Sequence, residues 1–282
     1  MKDFEVKENK IWWNTEGFTS FEELSINHSH YSKKNIGDIA WCYSHHQNVD
    51  TVYIGSKNLN FEIWDWDVQN KSKIKLKNTY QDFDFNSPFI LFTGHSGGGT
   101  SIISKFFRKL GVHFGDDCGK EENEKPIESS SLRIWWNLLD YPNSIDRIKE
   151  GFKQVVGHYN FKPNKINAVK LVNYTTHDRA LKMGKMLPNL KVVCILKKPS
   201  KVKAFHKEGA NFKKKDLNSI LNVQMVKVEG NKIFHLDWKK FFTDYKYCNE
   251  VIKFVGLSKI FKNKEELEKF NTNIGFKTKY LD

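Results

Sequence analysis

"FILFTGHSGGGTSIISKFFRKLG", residues 89–111, runs from an unbroken apolar stretch through a glycine-rich turn into a helical pattern. The apolar stretch predicts a strand buried on both faces. Beyond the glycines, Ile102, Ile103, Phe106, Phe107 and Leu110 recur at helical spacing, and Gly111 supplies a C-terminal stop. A strand that turns through glycines into a helix aims the first backbone N–H groups, and the positive end of the helix dipole, at whatever the loop holds. The string nearly matches the nucleoside-triphosphate phosphate loop, Gly-x-x-x-x-Gly-Lys-Ser/Thr. Gly94, Gly99 and Ser101 are in register, but Thr100 stands where the lysine belongs. Glycine allows close backbone approach and positive φ, and the Thr100 and Ser101 hydroxyls add donors. The same grammar also serves as a tight connection with no ligand.

Outward from this stretch, apolar runs alternate with helical periodicity, which predicts a parallel α/β sheet flanked by helices over residues 87–282. Further strands are expected at "NAVKLV" (167–172), "LKVVCIL" (190–196) and "KIFHLD" (232–237). "THDRALKMGKML" reads as a helix closed by Pro188, and Phe241, Tyr245, Cys248, Ile252 and Val255 mark one amphipathic helix ending at Gly256. Residues 1–86 differ in grammar. Short alternating runs such as "DTVYIG" and "NFEIWDWDV" separated by Asn, Gly and Lys predict a small β-rich extension of antiparallel strands. Its Trp12, Trp13, Trp41, Trp64 and Trp66 suit either a buried core or a platform for a sugar or base.

The 282-residue chain carries a formal net charge of +13, which suits a polyanionic partner without choosing one. Only four of its 46 basic residues are arginine, a bias that a genome rich in AT codons would also produce. Nucleic acid is disfavoured as a partner. Cys42, Cys118, Cys194 and Cys248 are far apart and form no C-x-x-C pair, so reduced thiols are expected and no metal. The first residues hold no apolar signal core, and no run of 18 apolar residues occurs, so the expectation is a cytoplasmic protein without a membrane span.

"ILFTGHSGGGTSIISKFFRKLGVHFGDD" (90–117) resembles the opening of the PAPS-dependent sulfotransferases, where a strand leads into a phosphate-binding loop and a helix ending near Leu-Gly-x-x-x-Gly-Asp-Asp. "LPNLKVVCILKKPSKVKAF" (187–205) looks like the second family signature, and "KIFHLDWKKFFTDYKYCNEVIKFVGLS" (232–258) is similar to the late strand, acidic residue and helix. The resemblance covers roughly residues 88–258. It implies a P-loop-like sulfotransferase fold that holds 3′-phosphoadenosine 5′-phosphosulfate (PAPS) as sulfuryl donor. Ser96, Gly97, Gly98, Gly99, Thr100 and Ser101 would bind the 5′-phosphosulfate, and Lys197 and Lys203 the 3′-phosphate. The chain departs from the family at Gly97, which takes the place of the basic residue that contacts the sulfuryl group. Lys197 takes an arginine position, Lys198 an acidic one, and Phe205 that of a phosphate-binding serine.

Lys170, a charge inside the apolar strand "AVKLV", resembles the family's lysine near the cofactor sulfate and is the first candidate for the missing charge. His95 inside the loop is the second. An acceptor hydroxyl or amine needs a general base. Glu128 in "KPIESSSLR" sits where such enzymes carry a glutamate, and His158 in "VVGHYNF" follows what reads as a short apolar strand. Glu128 is equally suited to a charge at a helix start. The acceptor could be a glycan or a small alcohol, with carbohydrate favoured by the aromatic extension. Two other readings stay open. One is a non-catalytic nucleotide or polyanion binder on the same fold. The other is a P-loop kinase or NTPase, which the absent loop lysine disfavours although Asp237 ends an apolar strand.

Overall fold

The computed structural model describes the strand backbones within residues 4–76. It describes residues 81–94, 98–116, 144–172, 177–196 and 232–276, a few side chains within these excepted, and Ser129, Leu132, Trp135, Trp136 and Leu139. The chain divides into two compact units, residues 1–83 with 130–160, and residues 84–129 with 161–282.

The first unit contains two antiparallel sheets. Strands β1 (Phe4–Lys7), β2 (Lys10–Trp13) and β3 (Gly17–Ser20) form one in sequence order. The other comprises β4 (Tyr31–Ile36), β5 (Ile39–His46), β6 (Val49–Ser56), β7 (Phe61–Asp67) and β8 (Ile74–Leu76), again in sequence order. The alternating runs of the sequence thus become meanders joined by short connections. All five tryptophans named above lie on these strands, and their side chains fall outside the described residues.

In the second unit, β9 (Phe89–Gly94) leads into α1 (Thr100–Lys109). Helix α2 (Ile145–Tyr159) belongs to the first unit and buries Ile148, Phe152, Val155, Val156 and Tyr159 at helical spacing. Phe83 meets Phe152 edge-on at 5.0 Å, and the Trp135 indole N–H donates to the Ile148 carbonyl at 3.2 Å. The short strand expected before His158 is therefore the last part of a helix: Ser144 caps its start, and the apolar spacing is 3.6 rather than 2.

Strands β10 (Asn167–Val172), β11 (Leu190–Leu196) and β12 (Lys232–Asp237) complete a four-stranded, all-parallel sheet in the order β10-β9-β11-β12, with α3 (His177–Met186) between β10 and β11. The chain steps from β9 to one side and then crosses to the other, so the strand order reverses around β9. In open parallel sheets such a reversal opens a crevice at the carboxyl ends of the strands, and the glycine loop leaves β9 there.

Strands β9, β10 and β11 are covered on both faces, whereas the edge strand β12 buries only Leu236. Ile90, Phe92, Ala168, Val193, Ile195 and Leu236 share one face and pack with α1, α4 (Trp238–Thr243), α5 (Tyr245–Val255) and α6 (Lys264–Asn273). Phe89, Leu91, Val169, Leu171, Val192 and Cys194, of opposite parity, are equally buried. Phe106 of α1 contacts Phe241 and Phe270 edge-on, each at 4.7 Å, which ties the first helix of the unit to the last. The single helix expected over 241–255 is broken in two. Asp244 adopts an extended conformation and its carboxylate accepts from the Lys246 and Tyr247 N–H groups, ending α4 and capping α5.

Candidate functional site

The glycine turn enters α1 through Gly99, whose φ of 86° and ψ of 13° place it in the left-handed region. Its carbonyl accepts from the Ile103 N–H at 3.2 Å, the first bond of the helix. Because the peptide is trans and planar, fixing that carbonyl along the helix turns the Thr100 N–H outward from the helix start. Gly99 has no side chain with which to cap this end, and the first turn contains no acidic residue.

Every other helix whose cap is described begins differently. Ser144, Asp237, Asp244 and Asn263 accept from the first turns of α2, α4, α5 and α6. Asp237, at the end of β12, is thus engaged as a cap, its carboxylate accepting from the Lys240 N–H at 3.0 Å.

Lys170 lies on β10 opposite Phe92 of β9, so its side chain shares the face that α1 covers. It is 1% exposed, and its Nζ donates to Ser101 Oγ at 3.0 Å. Two residues singled out from sequence on separate grounds are therefore in direct contact at the uncapped start of α1. An ammonium kept this far from water needs hydrogen bonds and counter-charge to offset its desolvation.

The two register glycines are close-packed. A Cβ at Gly94 would sit 2.9 Å from Thr100 Cγ2 and 3.0 Å from the Ile195 carbonyl oxygen. A Cβ at Gly99 would sit 1.9 Å from Trp238 Nε1 and 2.7 Å from its Cδ1. Trp238, which sequence reasoning passed over, begins α4 directly after β12 and is 4% exposed. Only a bulky apolar residue next to a strand end hinted at it.

Gly98, Gly99, Thr100 and Ser101 are described; Ser96, Gly97, His95, Glu128, Lys197 and Lys203 lie outside the described residues. His158 stands in the last turn of α2 in the first unit, whereas the loop belongs to the second. Cys194 and Cys248 are buried thiols, neither in a disulfide. Burial pushes the Cys194 thiol up to about 12, and burial reinforced by Asp244 raises that of Cys248, so neither is a ready nucleophile. Among the described residues, no group of three His, Cys, Asp or Glu side chains could hold a metal, and no helix is long and apolar enough to cross a membrane. No protein-family model matches the chain, and no curated protein matches it in sequence.

Proposed function

We propose that the chain is a PAPS-dependent sulfotransferase whose glycine loop and α1 start receive the 5′-phosphosulfate, on a P-loop-like sulfotransferase fold. The observation that carries this reading is the buried Lys170 side chain, its Nζ 3.0 Å from Ser101 Oγ in the first turn of a helix whose N-cap residue is a left-handed glycine. The outward Thr100 N–H and the Ser101 hydroxyl with its lysine partner lie in the same first turn, which is what a transferring oxyanion needs. Lys170 supplies the charge that Gly97 cannot.

In the proposed step the acceptor oxygen or nitrogen attacks sulfur, the bond from sulfur to the bridging phosphate oxygen breaks, and 3′,5′-ADP leaves. The acceptor's proton passes to a general base, for which Glu128, in the same unit as the loop, is the candidate. Lys170 stabilises charge on the sulfuryl oxygens and the departing phosphate, and Lys197 with Lys203 holds the 3′-phosphate. The acceptor is a hydroxyl or amine, with a carbohydrate alcohol the first class to try.

The test is transfer of radiolabelled sulfate from PAPS to a panel of sugars, alcohols and amines, with wild type and Lys170→Met. The expected outcome is transfer by wild type and a rate about 100- to 1,000-fold lower in the variant. Affinity for 3′,5′-ADP, which lacks the sulfuryl group, should change only a few-fold. A second reading, a non-catalytic nucleotide or polyanion binder on the same fold, is favoured by the net charge of +13. Binding of 3′,5′-ADP with no transfer to any acceptor would select it.

A further inference from the structure

We infer that Trp238 is the positioning residue of the anion loop, the brace that holds Gly99 in the conformation from which the Thr100 N–H faces the ligand. This rests on the proposed anion site. The indole lies so close to Gly99 that an added Cβ would fall 1.9 Å from Nε1, 2.7 Å from Cδ1 and 2.8 Å from Cε2. Gly99, at φ 86°, is thus pressed against a flat surface and cannot rock.

That surface is itself wedged. The Trp238 ring meets Phe242 at 5.2 Å and Phe276 at 5.6 Å, and Phe242 stacks on Phe276 at 4.0 Å with 12° between the planes. Phe276 is tied through its N–H to the Asn271 carbonyl at 2.9 Å, and the Asn271 amide donates to the Phe242 carbonyl at 3.0 Å. The segment after α6 therefore seats the indole, and the indole seats the loop. A loop held this way meets its ligand with less ordering to do, so affinity depends on Trp238 even though no reacting atom touches it.

The test uses the full chain labelled with 5-fluorotryptophan, the Trp238 fluorine resonance being the one lost in Trp238→Phe. Inorganic phosphate and 3′,5′-ADP are titrated while thermal shift reports binding independently. The Trp238 resonance should move with the same saturation as the thermal shift. Trp238→Phe should weaken 3′,5′-ADP about tenfold, whereas Phe276→Leu, which loosens the same cluster without touching Gly99, should weaken it far less for a similar loss of stability. A stationary Trp238 resonance during saturable binding, or equal weakening by the two folded variants, overturns the inference and leaves the anion site intact. Absence of any ligand response in wild type overturns both.

Discussion

Helix α5 and helix α1 begin in opposite ways. At α5 the Asp244 carboxylate accepts from two backbone N–H groups, so the helix start is closed by the chain itself. At α1 the cap is a left-handed glycine with no acceptor, and Lys170, which donates to Ser101 in the first turn, has the charge sign that attracts an anion. A helix start built for stability alone would carry an aspartate or serine, better than glycine by about a few tenths of a kcal/mol. The α1 start forgoes that and leaves its donors directed outward, which is the arrangement an anion site requires.

Gly99 and Gly256 sharpen this contrast with the biggest effect. Both have positive φ beside a helix end, but a Cβ at Gly256 meets nothing nearer than Ile166 Cδ1 at 3.7 Å. Gly99→Val should cost roughly 3–5 kcal/mol, combining left-handed strain with a collision against Trp238. Gly256→Ala should cost only about 1–2 kcal/mol. Urea denaturation of both variants decides it; similar losses would mean that the loop tolerates movement of the indole.

Asp244→Ala should cost about 1 kcal/mol by removing the α5 cap, with nucleotide binding unchanged. At the other start, Ser101→Asp places a carboxylate in the first turn beside Lys170. It should raise stability by about 0.5 kcal/mol through the dipole while abolishing the thermal shift given by 3′,5′-ADP. Loss of stability in Ser101→Asp would show that the α1 start does not favour negative charge.

The smallest effect lies at the opposite end of the sheet, where Lys191 donates to the Phe254 carbonyl at 2.8 Å near the end of α5. Burial, and then the adjacent Lys232, lower its pKa from the usual 10.5. The unfolded chain therefore binds more protons between the lowered value and 10.5, so this group's contribution makes stability rise with pH across that window. Lys232→Gln should flatten the rise slightly in alkaline denaturation curves; a steeper rise would contradict the pairing.

Much of the second unit was legible because its strands are short, mainly apolar runs: 167–172, 190–196 and 232–237 form as read, and the parallel sheet follows from their alternation with helical segments. Lys170 announced itself as a charge inside such a run. Its contact with Ser101 did not, because the partners are 69 positions apart and only the β9–β10 register brings them together. Trp238 was hidden for the same reason: its contact with Gly99 depends on how β12 delivers α4. The break at Asp244 was legible in principle, since an aspartate before a helical run is a cap signal, but the continuous apolar spacing across it masked the signal. At His158, two valines beside a glycine suggested a strand only because the longer helical period from Ile148 was not followed.

The most direct measurement is a calorimetric titration of wild type with 3′,5′-ADP, 5′-AMP and inorganic phosphate at two salt concentrations. The glycine-capped α1 start with Lys170, together with the proposed 3′-phosphate site, predicts saturable binding of all three, tightest for 3′,5′-ADP and weakest for phosphate. Equal affinities for the two nucleotides would remove the 3′-phosphate site, and no saturable binding of any of the three would contradict the anion site itself.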